Sequence, residues 1–313
     1  MNKNVLSICD LSREQIFSVL DVATYLKNPL NAGGSNNSVL KGKILGMIFQ
    51  KPSTRTRISF ETAILHLGGN AINLSFNDLQ ISRGESMEDT ARTLSLYLDC
   101  VVARVHSHDD LEKLSLYSNI PIINGLSDLF HPCQILSDLM TINEYKKKLD
   151  GVTLAFIGDG NNVCNDLLLG CSKLGINIKI STPPGFEPLN WVINSAVDES
   201  KKNNSHVLIT NDPIEAVRDA DVVTTDTFIS IGKEGEKEKR DAIFLPFYQV
   251  NEDLIKYAKK DFIFMHCLPA TRGKEVTAGI IDGPHSVVWT EAENRLHVQK
   301  ALLIKLLNPK FTY

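Results

Sequence analysis

The sequence predicts an α/β protein with two doubly wound parallel sheets. Short apolar runs alternate with longer amphipathic segments, which is the pattern of repeated β–α–β units. This pattern passes through the first half of the chain and restarts after Asp150-Gly151. Polar clusters follow many of the apolar runs, and in an open parallel sheet ligands bind beyond the carboxyl ends of the strands. We therefore expect groups distant in sequence to converge on one pocket.

The first half is predicted to begin with a helix and to continue with alternating strands and helices. Asp10 precedes the amphipathic segment LSREQIFSVLDVATYLK and is the expected N-cap. A polar loop is expected at 31–38. Strands are predicted at 43–49, 71–75, 100–105 and 121–123, and helices at about 55–67, 86–98, 108–118 and 132–148.

The second half repeats the alternation. The charged run at 234–240 is expected to be a solvated loop, and a last helix at about 291–307 to pack back on the first half. The predicted domains are therefore 1–149, joined by 291–313, and 150–290. Strands are predicted at 152–157, 177–181, 206–210, 221–225 and 261–266, and helices at about 162–174, 188–202, 212–219 and 251–259.

Composition is that of a soluble globular protein. The 313 residues are 43% hydrophobic and 22% charged, which is enough for two domains of ordinary size. A net charge of −4 gives no indication of a nucleic-acid or membrane partner. No apolar run reaches the ~18 residues of a transmembrane helix, and the first residues lack the apolar segment of a signal peptide. A cytoplasmic location is expected.

The cysteines form no CxxC pair and no metal-finger spacing, so neither a metal site nor a disulfide framework is expected. Cys267 differs from the others because it follows a predicted strand in a loop, where a thiol is more often functional. The 6 cysteines are Cys9, Cys100, Cys133, Cys164, Cys171 and Cys267.

Hydroxyls and arginines cluster where the helix after the first strand begins, in the segment STRTR. Ser53 is a favourable N-cap, and the exposed amides at a helix start bind phosphate. Arg55 and Arg57 are unfavourable in the first turn, because a helix N-terminus is already partially positive, unless an anion binds there. A surface pair with Glu61 accounts for Arg57 but not for Arg55. The segment therefore predicts a phosphate site.

Further polar residues follow other strands of the first half. Gln80 comes after the second predicted strand and Arg104 ends the third, while Arg295 lies in the last helix. His131 is placed to donate to a carbonyl or phosphate oxygen, and Gln134 lies on the same helical face. Taken alone, Arg104 and Arg295 are each more often surface or structural residues, and a lone histidine is more often part of hydrogen-bonded structure.

The segment GDGNN, after the first strand of the second half, matches a dinucleotide fingerprint poorly. Val163 stands where the third glycine is required, and the next strand runs into Pro183 without an acidic residue. No cofactor is expected, and Asn162 is instead a candidate for binding an amino-acid head group. Asp226, after the strand at 221–225, is either a loop cap or a ligand.

Together these motifs resemble the aspartate/ornithine carbamoyltransferase family over essentially the whole chain. STRTR and HPCQ are similar to segments shared across that family. GDGNN, the Asp-x-x-x-Ser-x-Gly segment from Asp226, HCLP at 266–269 and EAENRLHVQKALL resemble its ornithine branch. The resemblance implies a transferase that moves the carbamoyl group of carbamoyl phosphate to the δ-amino group of L-ornithine, giving L-citrulline and phosphate in arginine biosynthesis.

The resemblance also implies an architecture. Two Rossmann-like domains would enclose the active site in the cleft between them, and Leu268-Pro269 would be a cis bond. A homotrimer, or a multiple of trimers, would share its sites, with Gln80 reaching the phosphate held by the neighbouring subunit. The family usually has Trp and Met where this chain has Phe228 and Ile231, which affects the shape of the ornithine loop rather than the reaction.

Residue roles follow from the same resemblance. The residues implied to act in catalysis are Arg104, His131, Asp226 and Cys267. Those implied to hold carbamoyl phosphate are Ser53, Thr54, Arg55, Thr56, Gln80, Arg104, His131, Gln134, Cys267, Leu268 and Arg295. Those implied to hold ornithine are Asn162, Asp226, Ser230 and Ile231.

Other acceptors and other classes of protein remain as alternatives. Aspartate carries a second carboxylate and would need cations in the second loop, where this chain has Asp226, Ser230 and Cys267. Putrescine lacks the α-amino and carboxylate groups that Asn162 would hold. A non-catalytic binding protein on the same fold is the alternative from another class, since fold alone does not decide function.

Overall fold

The structure is a computed structural model that describes residues 2–28, 38–76, 79–229 and 233–312. Contacts divide the chain into two units, one made of Met1–Ser137 with Glu293–Tyr313 and the other of Asp138–Ala292. Each unit contains a parallel sheet with interleaved helices, which confirms the predicted fold class. Two helices pass from one unit to the other, α5 (Pro132–Lys146) and α11 (Val288–Leu307).

The first unit is built on a 4-stranded sheet of order β2-β1-β3-β4. From β1 the chain continues to one side, and from β3 to the other, so the strand order reverses between these two neighbours. The elements are α1 (Arg13–Lys27), β1 (Ile44–Phe49), α2 (Thr54–His66), β2 (Asn70–Ser75), α3 (Met87–Tyr97), β3 (Cys100–Arg104), α4 (His108–Tyr117) and β4 (Ile122–Leu126).

The second unit is built on a 5-stranded sheet of order β7-β6-β5-β8-β9, and its order reverses between β5 and β8. The elements are β5 (Thr153–Ile157), α6 (Asn162–Leu174), β6 (Asn177–Ser181), α7 (Asn190–Lys202), β7 (Val207–Thr210), α8 (Pro213–Val217), β8 (Val222–Thr225), α9 (Lys237–Phe244), β9 (Ile263–His266) and α10 (Ala278–Ile281).

Burial explains why the strands appear in the sequence as continuous apolar runs. Every residue of β4, β8 and β9 is buried, as expected for parallel strands with helices on both faces. The edge strands β2 and β7 are only partly buried, whereas isolated bridges to Val5 and Ser286 flank the opposite edge strands β4 and β9. None of the helices in the described ranges is long and apolar enough to cross a membrane.

The N-cap predicted for the first helix was wrong. Helix α1 starts at Arg13, and Ser12 caps it in a reciprocal arrangement with Gln15. Asp10 instead ends a 3-10 turn, where its carboxylate accepts the N–H groups of Leu6 and Ser7. A short acid serves either role, and the Ser12–Gln15 pair decides between them.

Two other segments also differ from expectation. The run at 234–240 is not a solvated loop: it forms a 3-10 turn at Glu234–Glu236 and then α9, which buries one of its charged residues. The helix expected at 251–259 is reduced to a 3-10 turn at Leu254–Tyr257. The polar loop predicted at 31–38 lies, apart from its last residue, outside the described part of the chain.

Candidate active site

In the first unit, α2 begins directly after β1 with a capped but positively charged turn. Ser53 is the N-cap, and its side chain accepts the N–H of Thr56 at 3.3 Å. The first turn contains no acidic residue. Arg57 is exposed and lies 3.9 Å from Glu61, as expected for a surface pair. The helix start, which includes Thr54 and the partly buried Arg55, therefore keeps the partial positive charge that favours an anion.

A buried polar group connects α2, α5 and α11. Arg295 is only 3% exposed and donates from Nη1 to Oε1 of Gln134 at 2.5 Å. Its Nη2 donates to Oγ1 of Thr56 at 3.1 Å. His131 is buried one turn before Gln134. The structure thus brings together four residues that the sequence analysis assigned to one ligand, although they are spread over most of the chain.

Burial, together with three arginines, determines the protonation state of His131. Burial lowers the pKa of His131 well below 6.5, and the charges of Arg295, Arg104 and Arg55 lower it further. Arg104 lies at the carboxyl end of β3, opposite Phe49 at the end of β1. At neutral pH, His131 is therefore a neutral ring beside three guanidinium groups, a setting that attracts an anion.

Gln80 lies apart from this buried group. It opens a 3-10 turn at Gln80–Arg83 and is exposed. A cavity of about 550 Å³ borders Ser53 and Thr54 on the outer side of α2, and its walls do not include His131 or Arg295. Within one chain, the structure does not bring Gln80 into the arginine cluster.

In the second unit, Asn161 fixes the loop between β5 and α6. It is the N-cap of α6, and its Oδ1 accepts the N–H groups of Val163 and Cys164 at 3.0 and 3.1 Å. Its Nδ2 donates to Oδ2 of Asp226 at 2.7 Å. The sequence analysis selected the next residue, Asn162, which is the first residue of α6 and is buried. The N-cap preference for Asn is the signal that could have identified Asn161.

Asp226 is the centre of a hydrogen-bonded group at the carboxyl ends of β8 and β9. Its Oδ1 accepts the N–H of Thr227 at 2.7 Å and the thiol of Cys267 at 3.1 Å. Burial and the neighbouring Asp226 raise the pKa of the Cys267 thiol well above 9.0, with smaller contributions from Glu291 and Asp138. Cys267 is therefore a protonated hydrogen-bond donor at neutral pH, not a thiolate nucleophile.

His266, which the sequence analysis did not single out, shapes the loop that carries Cys267. Its Nδ1 accepts the N–H of Leu268 at 2.9 Å, and its own N–H donates to Oε2 of Glu291 at 2.8 Å. Its Nε2 lies 3.4 Å from Oε1 of Glu275, which is also buried. Leu268 has a left-handed φ of 54°, and the predicted cis bond between Leu268 and Pro269 is confirmed.

Asp226, His266 and Cys267 place ligand atoms within 4.8 Å of one another, as a metal site would. Each atom already has a partner: the thiol donates to Asp226, and His266 accepts from Leu268. A cation would have to replace these bonds, so the arrangement is complete as a hydrogen-bonded group.

Two of the predicted ornithine residues, Ser230 and Ile231, lie outside the described residues. Phe228, which precedes them, is 1% exposed and stacks on Phe244 with 4.8 Å between ring centroids. Its ring therefore packs in the core of the second unit.

Known proteins match the chain along nearly its full length. A family profile described as aspartate/ornithine carbamoyltransferase, carbamoyl-P binding domain, matches residues 3–144. The profile of the Asp/Orn binding domain of the same family matches residues 150–306. The chain belongs to the aspartate/ornithine carbamoyltransferase family. The family resemblance inferred from STRTR, HPCQ, GDGNN and HCLP is thereby confirmed.

Relatives within this carbamoyltransferase family are similar in sequence and structure. The chain is 51% identical to the ornithine carbamoyltransferase of Pyrococcus horikoshii over 305 residues, covering 97% of this chain and 96% of that protein. The crystal structure of anabolic ornithine carbamoyltransferase from Campylobacter jejuni has a TM-score of 0.91 at 42% identity and covers 98% of this chain and 100% of that chain. The ornithine carbamoyltransferase structure from Pyrococcus furiosus has a TM-score of 0.94 at 49% identity, covering 99% and 98%.

The two carbamoyltransferase profiles do not coincide with the two structural units at the C-terminus. Arg295 falls within the residues matched by the Asp/Orn binding domain, yet it belongs to the first unit and donates to Gln134 and Thr56 there. Helix α11 therefore supplies the cation Arg295 to the buried polar group of the first unit.

Proposed function

We propose that the chain transfers the carbamoyl group of carbamoyl phosphate to the δ-nitrogen of L-ornithine, giving L-citrulline and phosphate. The observation that carries the proposal is the contrast between the two half-sites. The first unit gathers Arg55, Arg104 and Arg295 around His131, whereas the second presents Asp226 and the Cys267 thiol. Cations suit a phosphorylated donor and an acid suits an amine. The ornithine carbamoyltransferases named above support the same substrates.

Carbamoyl phosphate is assigned to the start of α2 and the residues around His131. The α2 amides with Ser53, Thr54, Arg55 and Thr56 would hold the phosphate, and Gln134 and Arg295 would complete the site. Hydrogen bonds to charged groups are worth about 1.5–3 kcal/mol each, so a few of them hold a small dianion despite the entropic cost of binding. Leu268 and Cys267 are assigned to the carbamoyl end of the same ligand.

The reaction is a direct nucleophilic substitution at the carbonyl carbon. The δ-nitrogen lone pair forms the new C–N bond while the C=O π electrons move to oxygen, giving a tetrahedral intermediate. Arg104, His131 and Thr56 would stabilise that oxygen, at about 3 kcal/mol per well-placed donor. The C–O bond to phosphate then breaks, and Arg55 with the helix-start amides would stabilise the departing dianion.

The attacking amine must first lose its proton. A lysine-like amine has a pKa near 10.4, so selecting its neutral form at pH 7 costs about 4.6 kcal/mol. Asp226 and Cys267 are assigned to orienting the amine, and Asn162 with Ser230 and Ile231 to the α-amino and carboxylate groups. The ammonium proton is released to solvent before attack, and the second N–H proton, which the tetrahedral intermediate must still lose, has the departing phosphate as a candidate acceptor that requires no further residue.

We also propose a homotrimer in which Gln80 completes the phosphate site of a neighbouring subunit. Gln80 is exposed in its own chain, and the cavity beside Ser53 and Thr54 offers space for a segment of another copy. Large apolar side chains are exposed on the same unit, including Ile58 and Leu65 on α2 and Leu96 on α3. We also propose a cytoplasmic location and a biosynthetic role. The word anabolic in the name of the Campylobacter relative supports the biosynthetic role.

One assay tests the proposed acceptor. The protein is incubated with carbamoyl phosphate and ornithine, aspartate or putrescine, and both the ureido product and released phosphate are measured. Ornithine should give citrulline and an equal amount of phosphate. Faster turnover of aspartate or putrescine would show that ornithine is not the preferred acceptor. Absence of product with every acceptor would favour a non-catalytic binding protein.

A further inference from the structure

The charged helix α9 contains a buried arginine that the proposed reaction does not use. Arg240 is only 5% exposed, whereas Lys237 and Lys239 of the same helix are exposed. A buried charge is strongly destabilising unless its charge and its hydrogen bonds are matched. The partners of Arg240 therefore show which segments of the chain its burial holds together.

Two of those partners lie in different loops at the carboxyl end of the sheet. Nη1 of Arg240 donates to Oδ2 of Asp159 and to the carbonyl oxygen of Phe228, both at 2.8 Å. Nε donates to Oε2 of Glu236 at 3.2 Å. Asp159 follows β5 and Phe228 follows β8, the two strands between which the strand order reverses. One guanidinium thus ties the two loops that border this reversal point.

Aromatic rings enclose the same guanidinium and connect it to a third loop. Its Cζ lies 5.1 Å from the ring centroid of Phe186 and 5.9 Å from that of Phe244, which in turn stacks on Phe228. Phe186 follows β6, and its carbonyl accepts the N–H of Gly160 at 2.8 Å. A Cβ on Gly160 would lie 2.6 Å from that carbonyl, so the two loops are in direct backbone contact.

We propose that Arg240 is a positioning residue for the amino-acid substrate. It sets the spacing of the loops that carry Asn162, three residues after Asp159, and Asp226, two residues before Phe228. The inference rests on the proposed function, because it assigns these two loops to ornithine. Arg240 acts through Asp159 and the Phe228 carbonyl and does not itself contact the reacting atoms.

The geometry requires arginine rather than any cation. The planar guanidinium offers donors in a fixed fork and lies flat against aromatic rings, whereas an ammonium is a compact point charge. Arg240→Lys therefore keeps the charge but loses the simultaneous contacts with the carboxylate, the carbonyl and the rings. Arg240→Met keeps the apolar stem but leaves the Asp159 carboxylate buried without this cation.

Steady-state kinetics of the full-length protein test the role. Each substrate is varied at a saturating concentration of the other. In Arg240→Lys we expect kcat/KM for ornithine to fall about tenfold, and further in Arg240→Met, while KM for carbamoyl phosphate changes less than about twofold. Lys239→Met removes a charge from an exposed position of the same helix and should match the wild type.

The outcomes separate this role from general stabilisation. Thermal unfolding shows which variants fold. If Arg240→Met does not fold, Asp159→Asn takes its place, because it removes the carboxylate and keeps the guanidinium. This variant must show the same selective loss of kcat/KM for ornithine. Equal losses for both substrates, or wild-type kinetics in Arg240→Lys, would overturn the positioning role. A wild-type protein that does not carbamoylate ornithine would instead overturn the proposed function.

Discussion

At the scale of single residues, the candidate site depends on how completely Asp226 is bonded. Its carboxylate accepts hydrogen bonds from Asn161, Thr227 and Cys267. A carboxylate offers about four acceptor positions, so the donors among the described residues leave one that the proposed substrate amine can occupy. The three protein donors fix the direction of that position, which is how a flexible acid becomes an orienting group.

Replacing Cys267 should affect one substrate selectively. In Cys267→Ala the thiol donor to Asp226 is lost, and we expect kcat/KM for ornithine to fall about tenfold, with a smaller effect on the Kd of carbamoyl phosphate. Steady-state kinetics and direct binding of carbamoyl phosphate measure the two effects. Cys9→Ala, at an exposed cysteine, is the control. Equal impairment of both substrates would contradict the assigned role.

Changing Asn161 to Asp should separate its two functions. The new carboxylate still caps α6 but faces Asp226 with a like charge in place of a donor, and one of the two carboxylates then takes up a proton. We expect kcat/KM for ornithine to fall at least about tenfold, with helix content by circular dichroism unchanged. Asn190→Asp makes the same change at the exposed start of α7 and should be neutral. Unchanged kinetics in Asn161→Asp would exclude the orienting role.

The activity should rise with pH because of the substrate and not because of His131 or Cys267. The pKa of His131 is held well below 6.5 and that of Cys267 well above 9.0, so neither group titrates between pH 6 and 8. The neutral fraction of an amine with a pKa near 10.4 grows about tenfold per pH unit in that range. We expect kcat/KM for ornithine to rise from pH 6 to 8 with the same slope in Cys267→Ser. A flat profile would count against attack by the neutral amine.

At the scale of secondary-structure elements, two of the capped helix starts of the first unit, those of α1 and α2, differ in the charge of their first turns. Ser12 and Gln15 cap α1 reciprocally, and Glu14 adds an acid in the first turn. Helix α2 has Ser53 as its cap but arginines where acids are favourable. The first arrangement stabilises a helix, whereas the second keeps its positive end for a ligand.

Removing each cap tests this difference. Ser12→Ala and Ser53→Ala should each lower the free energy of unfolding by about 1 kcal/mol, because each leaves a helix-start amide without its side-chain acceptor. Only Ser53→Ala should also raise KM for carbamoyl phosphate, by about five- to tenfold. Chemical denaturation and kinetics measure the two quantities. A similar rise in Ser12→Ala would show that KM follows stability and not the site.

The elements also show where sequence patterns succeed and fail. The strand at 177–181 and the helix at 162–174 match the predicted ranges, because continuous apolar runs and a capped amphipathic segment are local signals. Helix α9 was missed because its composition is that of a solvated segment. Arg240 of this helix is buried against Asp159, 81 residues away, and the carbonyl of Phe228, 12 residues away, and the local composition shows neither contact.

At the scale of the whole molecule, both sheets place their polar groups by the same topological rule. Ser53 follows β1 and Arg104 ends β3. Asn161 and Asp226 follow β5 and β8. Each pair of strands is the pair at which the strand order of its sheet reverses. Such points leave a crevice at the carboxyl edge of a parallel sheet. Gln80 is exposed in its own chain, which is compatible with the proposed completion of the first half-site by another copy.

The proposed sharing of sites between subunits predicts that two inactive variants regain activity when they are assembled into one trimer. Arg55→Ala and Gln80→Ala should each be nearly inactive alone. After mixed reassembly, a site formed by Arg55 of one variant and Gln80 of the other is intact, so about a quarter of wild-type activity should return in a randomly mixed trimer. Activity before and after reassembly gives the result, with each variant reassembled alone as the control. No recovery in hybrids of confirmed trimeric mass would place Gln80 outside the shared site.

The sequence by itself determined the two parallel sheets, the strand-end position of the polar clusters and the family, because apolar periodicity and short motifs are local properties. Only the tertiary structure decided which asparagine donates to Asp226, the protonation states of Cys267 and His131, and the contacts that bury Arg240. Each depends on the distance and burial of groups that the chain brings together from far apart, and pairing, desolvation and charge interactions arise only after folding.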